Sequence, residues 1–259
     1  MRFTEKVAIV TGAGQGIGEA YAKALAREGA AVVVAEINET TGAKVAGEIV
    51  ARGGRAAFVR TDVSSPESAG QLASESVRCF GGIDFLVNNA AIFAGMRRES
   101  LLTVDYDYYR RFMEVNMNGA LIVTRAVYQH IAARGGGAIV NQSSTAAYEA
   151  GNYYRIAKTG VNAITIGLAR ELQPDIVIMD ITMPRMNGLE ATPEIKKALP
   201  AAEVLIFTQH DSKQMIRQAK NAGASGYLLK SQANWLVAAV ESIGKHIPFF
   251  EGKNLPQIG

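Results

Sequence analysis

The sequence is short of cysteine. It holds only Cys79, and a single thiol cannot close an internal disulfide. A disulfide-stapled secreted scaffold is therefore excluded, and a reducing, cytoplasmic setting is expected. Cys79 stands in a helical pattern ahead of "GGID" and is expected to pack in the core. Long apolar runs are missing too, and none approaches the roughly 20 residues that a membrane-spanning helix needs. Charge of one sign is not in excess: 27 Lys and Arg face 24 Asp and Glu, a net of +3. No basic run marks a nucleic-acid or anionic-membrane partner, and neither is expected. Repeats, low-complexity tracts and long polar linkers are absent. The opening "MRFTEKVAIVTG" passes directly into a strand pattern, so no signal peptide is expected.

What is present is a βα rhythm. With 259 residues, 48% of them hydrophobic, the chain can bury one large α/β core or two small ones. Short β-branched runs predict strands near Val7–Thr11, Ala31–Glu36, Ala56–Arg60, Phe85–Asn88 and Ala138–Gln142, then near Ile176–Asp180, Glu203–Thr208 and Gly226–Lys230. Helical patterns lie between them, among them Ile17–Glu28, Glu39–Arg52 and Pro66–Phe80. These are stopped by Gly29, Gly53 and Gly81. Alternation of this kind predicts a doubly wound, Rossmann-like parallel sheet.

The first turn carries chemistry. "VAIVTGAGQGIGEA" sets Gly12, Gly14, Gly16 and Gly18 between a strand and a helix, with Gln15 and Ile17 among them. Glycines let backbone approach a pyrophosphate, and the helix N-terminus offers N–H groups and positive dipole to it. Roughly 20 residues on, the second strand ends at Glu36, where a carboxylate can accept from both ribose hydroxyls of NAD. The same charge opposes the 2′-phosphate of NADP. At ~4 Å and an effective dielectric of ~20 the repulsion is about 4 kcal/mol. NAD is expected as the preferred cofactor.

Together with "NNAA" from Asn88 and "YYRIAK" from Tyr153, this turn makes residues 1–172 resemble a short-chain dehydrogenase/reductase. The resemblance implies Tyr154 and Lys158 as the catalytic Tyr-x-x-x-Lys pair, with Ser144 and Asn116 completing the set. A spacing of four puts both side chains of the pair on one helix face, and a cation beside a phenol favours the phenolate. Tyr154 would exchange a proton with the substrate, Ser144 would hold the same oxygen, and Lys158 would bind the nicotinamide ribose. Asn116 would hold a relay water. Asp62 and Val63 are implied at the adenine edge. Asn88, Asn89 and Ala90 are implied beside the adenosine ribose and under the central strand. Ser144 stands ten residues before Tyr154, closer than is usual in the family, which leaves Ser143 open as an alternative. Tyr148 and Tyr153 are expected as pocket wall or core, and His130 as a surface residue near a helix C-terminus.

After "LARELQPD" the family's Pro-Gly turn and substrate-covering segment are not legible. Residues 173–248 instead resemble the second half of a response-regulator receiver domain, which is flavodoxin-like. "IVIMDITMPRMNG" matches its phospho-acceptor strand with Asp180, "VLIFTQH" its switch residue Thr208, and "GASGYLLKS" its lysine, Lys230. The acidic pair that would hold a divalent cation is missing, so this set is expected to be vestigial, and no metal is expected.

The two resemblances imply a chimera, engineered or a natural gene fusion: residues 1–172 for cofactor and catalysis, residues 173–259 continuing the same sheet. The expected strand order is 3-2-1-4-5-6-7-8, with the last three strands receiver-derived. The expected function is hydride transfer between nicotinamide and a secondary alcohol or ketone, weakened by the lost lid. An NAD-binding scaffold without turnover and, further off, a phospho-accepting receiver are the alternatives. A homodimer through the helices carrying Asn116 and Tyr154 is the expected assembly.

Overall fold

The computed structural model describes residues 1–148, 151–181 and 188–250. The loop expected to follow Asp180 falls on 182–187 and lies outside the described residues, as do the tail after Phe250 and the Tyr148 side chain. The chain divides into two compact units, Met1–Thr165 and Ile166–Gly259.

The first unit is built on β1 (Val7–Thr11), β2 (Ala31–Glu36), β3 (Arg55–Arg60), β4 (Phe85–Asn88) and β5 (Ala138–Asn141), all parallel in the order β3-β2-β1-β4-β5. Between the strands run α1 (Gly16–Arg27), α2 (Glu39–Ala51), α3 (Pro66–Phe80), α4 (Tyr106–Met113) and α5 (Gly119–Ala133). β1 and β2 are buried almost throughout, as strands covered on both faces must be. Alternate residues serve opposite faces. Ala8, Val10, Val32 and Val34 cluster with Ala22, Val45 and Ile49 of α1 and α2. Val7, Ile9 and Val33 cluster with Leu72, Val123 and Val127 of α3 and α5. Local chemistry sets the helix ends. Asn38 accepts from Thr41 N ahead of α2, and Ser65 accepts from Ser68 N with Pro66 in the first turn of α3. Gly81 at φ +81 stops α3.

Cys79 is exposed, contrary to expectation. The buried stripe of α3 runs through Ala69, Leu72, Ala73 and Ser76, and its helical period passes residue 79 by.

The single eight-stranded sheet does not form. Among the described residues β5 bonds only to β4, while β6 (Ile176–Met179), β7 (Glu203–Thr208), β8 (Gly226–Leu229) and β9 (Phe249–Phe250) make a separate parallel sheet in that order. Strand pattern alone does not name a strand's neighbour, and the helix between β5 and β6 is α6 (Tyr153–Leu172). Its buried residues, Tyr153, Ala157, Lys158 and Val161, all lie in its first half, whereas Ile166 and Leu172 are exposed. β9 falls in the tail that the pattern left unassigned.

The second sheet has its own helices, α7 (Gly188–Ala198), α8 (Lys213–Asn221) and α9 (Leu236–Gly244), and its own two-sided core. Val204, Ile206 and Tyr227 cluster with Leu189, Ile195 and Ile216, while Leu205 and Leu228 cluster with Ala239 and Ile243. Among the described residues no helix is long and apolar enough to cross a membrane.

One buried charge ties the first sheet together at its N-terminal edge. Asp84, with a fully buried side chain, accepts from Val7 N (2.9 Å) and pairs with Lys6 (3.0 Å) and Arg134 (3.2 Å). Burial alone would raise its pKa, but Lys6, the Val7 N–H and Arg134 outweigh that and hold it below 3.8. A lowered carboxylate stabilises the fold fully above the unfolded value, and the contribution is lost as pH falls through the folded one. Asp84→Asn is expected to cost about 1–3 kcal/mol at pH 7, less than a fully buried pair because both cations are partly exposed. Melting curves across pH check this. The gap between wild type and variant should narrow below about pH 4; a gap independent of pH would contradict it.

Candidate active site

The glycine turn sits at the carboxyl end of β1. Gly12 has φ +63 and Gly16 φ +59, values a side chain resists. A Cβ on Gly18 would lie 2.1 Å from Gly12 O, so glycine there permits α1 to press against the turn. At Gly16 a Cβ would meet nothing within 4 Å, and Gln15, Gly16 and Ile17 are all exposed. No side chain caps α1, so its first N–H groups face an open approach. Glu36 closes the turn from β2. Its Oε2 accepts from Gly14 N (3.0 Å), and its Oε1 accepts from Ile37 N (2.9 Å) and Asn38 N (3.1 Å). Exposed backbone at residues 15–17 beside a fixed carboxylate fits a dinucleotide.

The asparagines hold the frame. Asn89 Nδ2 donates to Thr11 O (3.0 Å) and Gly12 O (3.2 Å), while Thr11 Oγ1 accepts from Asn89 N and Ala90 N. Asn88 turns its amide to Ala120 O, Thr124 Oγ1 and Asn141 Oδ1, tying β4 to α5 and β5. After β3, Asp62 Oδ1 accepts from Ser64 N (3.0 Å) and Oγ (2.6 Å), and its Oδ2 meets Arg111 (3.0 Å). Partial burial would push Asp62 up, but Ser64 and Arg111 outweigh it and hold it below its usual range. Val63 beside it is buried in the core.

Thr11, Asn88, Ala90, Asn116, Gln142 and Lys158 line one pocket in this unit; Ser144 and Tyr154 are not among its lining residues. Lys158 is 3% exposed, and burial lowers its pKa to about 8. Its ammonium donates to Gln142 O (2.7 Å) and lies 5.9 Å from the Tyr154 ring centroid. Asn152 Oδ1 accepts from Tyr154 N (3.0 Å), capping α6 and fixing where the Tyr-x-x-x-Lys face begins. Rings of Phe93 (5.3 Å) and Phe112 (6.4 Å) lie beside that of Tyr154. Tyr153 is fully buried and its ring packs on Phe112, as core.

Asn116 is 3% exposed, and both ends of its amide are taken by one residue. Ile92 N donates to Oδ1 (2.7 Å) and Nδ2 donates to Ile92 O (3.0 Å). It lies in a π-helical turn, Glu114–Asn118, where Gly119 N reaches back to Glu114 O. Such a turn displaces the ladder by one residue. Ser144 Oγ accepts from Ala146 N (3.2 Å), while Ser143 Oγ is buried without a partner. Gln142, whose amide accepts from Tyr21 (2.8 Å), escaped the sequence reading, because its contribution to Lys158 is a backbone carbonyl. Ile92 escaped for the same reason. His130 is exposed near the end of α5, as its position suggested.

In the second unit Lys230 Nζ pairs with Asp180 Oδ2 at 2.6 Å, and Thr208 is fully buried at the end of β7.

The family model for short chain dehydrogenases matches residues 6–198. An uncharacterized oxidoreductase of Mycobacterium tuberculosis is 49% identical over 242 residues, 93% of this chain and 96% of that protein. Cis-4-hydroxycyclohexanecarboxylate dehydrogenase of Sinomonas cyclohexanicum is 32% identical over 245 residues, again 93% and 96%. Among solved structures, a metagenomic short-chain oxidoreductase in complex with NADP is 25% identical, with TM-score 0.62 over 86% of this chain and 90% of that one. These matches run past Leu172 and lend no support to a receiver chimera.

Proposed function

This chain belongs to the short-chain dehydrogenase family, and on that premise we propose that it is an NAD-dependent oxidoreductase of secondary alcohols and ketones. The observation that carries the reading is the placement of Lys158, buried and cationic at neutral pH, one helical turn from Tyr154. When bound, the nicotinamide supplies the hydride acceptor or donor. The oxidation balances as alcohol plus NAD⁺ giving ketone, NADH and one proton. Tyr154 takes the hydroxyl proton, and Ser144 donates a hydrogen bond to the same oxygen. Lys158, released from Gln142 O, binds ribose hydroxyls and holds positive charge beside the tyrosine. Asn116 fixes the turn that holds the relay water. The relative from Sinomonas is named for a ring-borne hydroxyl, which supports a secondary alcohol as substrate.

NAD in preference to NADP rests on Glu36, whose carboxylate occupies three backbone N–H groups that a 2′-phosphate would otherwise use. The NADP-bound neighbour makes this choice one to measure. Glu36→Ala should shift the NADH-to-NADPH affinity ratio toward NADPH by about 10–100-fold, that is ~1.4–2.8 kcal/mol. Fluorescence titration with both nucleotides reads the ratio, and wild type binding the two equally would refute the preference.

A second reading is kept by the Lys230–Asp180 pair together with buried Thr208 at neighbouring strand ends. In it, residues 173–259 are a grafted receiver half and the chain is an NAD-binding scaffold with impaired turnover. Full-length similarity to dehydrogenases favours the first reading. Assaying secondary alcohols with NAD⁺ separates the two: turnover supports the enzyme, and tight NADH binding without turnover supports the scaffold.

A further inference from the structure

The segment joining β4 to α4 is pinned at two points. At its start, Ile92 exchanges both backbone hydrogen bonds with the Asn116 amide. Five residues on, Arg97 N donates to Tyr108 Oη (3.1 Å), Tyr153 Oη donates to Arg97 O, and the Arg97 guanidinium lies 4.5 Å from the Tyr108 ring centroid. Ile92 and Met96 pack with Phe112, Tyr153 and Tyr154. Phe93 sits between these pins, yet it is 64% exposed. Its ring lies 5.3 Å from that of Tyr154, inclined at 52°.

A phenylalanine buried for stability would not keep most of its surface in water. One set beside an acid–base residue, on a segment pinned on both sides, presents an apolar face to whatever reaches that residue. We propose that Phe93 is the wall against which the substrate's carbon skeleton packs, and that it selects ring-shaped secondary alcohols and ketones. The reasoning rests on the hydride-transfer function above. A substrate whose reacting oxygen meets the Tyr154 hydroxyl brings its carbons within reach of the Phe93 ring, 5.3 Å from the tyrosine ring. A saturated ring covers the Phe93 face without freezing the rotors that a linear chain of equal size must freeze. A two-carbon flank, as in propan-2-ol, is too short to cover it.

The test compares cyclohexanol with propan-2-ol as substrates for wild type, Phe93→Ala and Phe93→Leu, with NADH affinity measured on each protein. Phe93→Ala should raise KM for cyclohexanol about tenfold with kcat nearly unchanged. KM for propan-2-ol and the NADH affinity should stay within about twofold, and Phe93→Leu should fall between. An unchanged cyclohexanol KM in Phe93→Ala overturns the proposal. So does equal loss with both alcohols and NADH, which marks a collapsed segment. Wild type that binds NADH but turns over neither alcohol overturns the hydride-transfer reading itself, and the Phe93 assignment with it.

Discussion

Tyr154→Phe is expected to lower turnover by about 10²–10⁴-fold while leaving NADH affinity within about twofold. The ring of Tyr154 lies beside those of Phe93 and Phe112, and the α6 backbone beneath it is capped by Asn152. Phenylalanine keeps all three relations and removes only the hydroxyl. The variant should therefore fold and melt like wild type, so that the loss is assigned to proton transfer. Steady-state rates beside an NADH titration and a melting curve make the measurement. Turnover equal to wild type would remove Tyr154 from the mechanism.

Lys158→Met is expected to abolish turnover and to stabilise the cofactor-free protein. The ammonium is buried, and burial brings its pKa from 10.5 to about 8. At roughly 1.36 kcal/mol for each unit, keeping the charge in the fold costs about 3 kcal/mol at pH 7. Methionine fills a similar volume without charge but leaves Gln142 O without its donor. The net gain should be about 1–2 kcal/mol, or a few degrees of melting temperature at ~2–4 °C per kcal/mol. The sign with pH is fixed by linkage. Between about 8 and 10.5 the unfolded chain binds more protons at this site than the folded one, so wild-type stability rises with pH there. The advantage of Lys158→Met should shrink across that window. A variant less stable than wild type at pH 7 would show that the Gln142 bond outweighs the buried charge. Such a trade of stability for a reactive group is common where a site needs what the core resists.

The sequence carried the parts of this site whose chemistry depends on spacing. Gly12 to Gly18 are read from the turn they must make and Glu36 from its distance along the chain, while Tyr154 with Lys158 comes from the resemblance to the dehydrogenases, which a spacing of one helical turn supports. Contacts made by backbone left no such trace. Ile92 binds Asn116 through its N–H and C=O, and Gln142 holds Lys158 through its carbonyl. Any residue could supply these groups, so "AIF" and "NQS" do not announce them. Phe93 looked like an ordinary apolar letter after a strand, and only its exposure beside Tyr154 sets it apart.

The first five strands paired in the expected order, because each crossover helix carries an apolar stripe that returns it to the sheet. The sixth did not join them. "IVIM" has the same pattern whether it extends one sheet or begins another, so strand pattern alone cannot name a strand's neighbour. The likeness of Asp180, Thr208 and Lys230 to a receiver rests on three strand-end residues. Full-length kinship to dehydrogenases weighs against reading function into them.

The most direct test of the hydride-transfer account mixes the purified protein with NAD⁺ and cyclohexanol at mildly alkaline pH and follows NADH formation. Steady NADH production, with cyclohexanone appearing in equal amount and both lost in Tyr154→Phe, is the predicted result. NADH binding without any NADH formation, across ring-shaped and linear secondary alcohols alike, would contradict it.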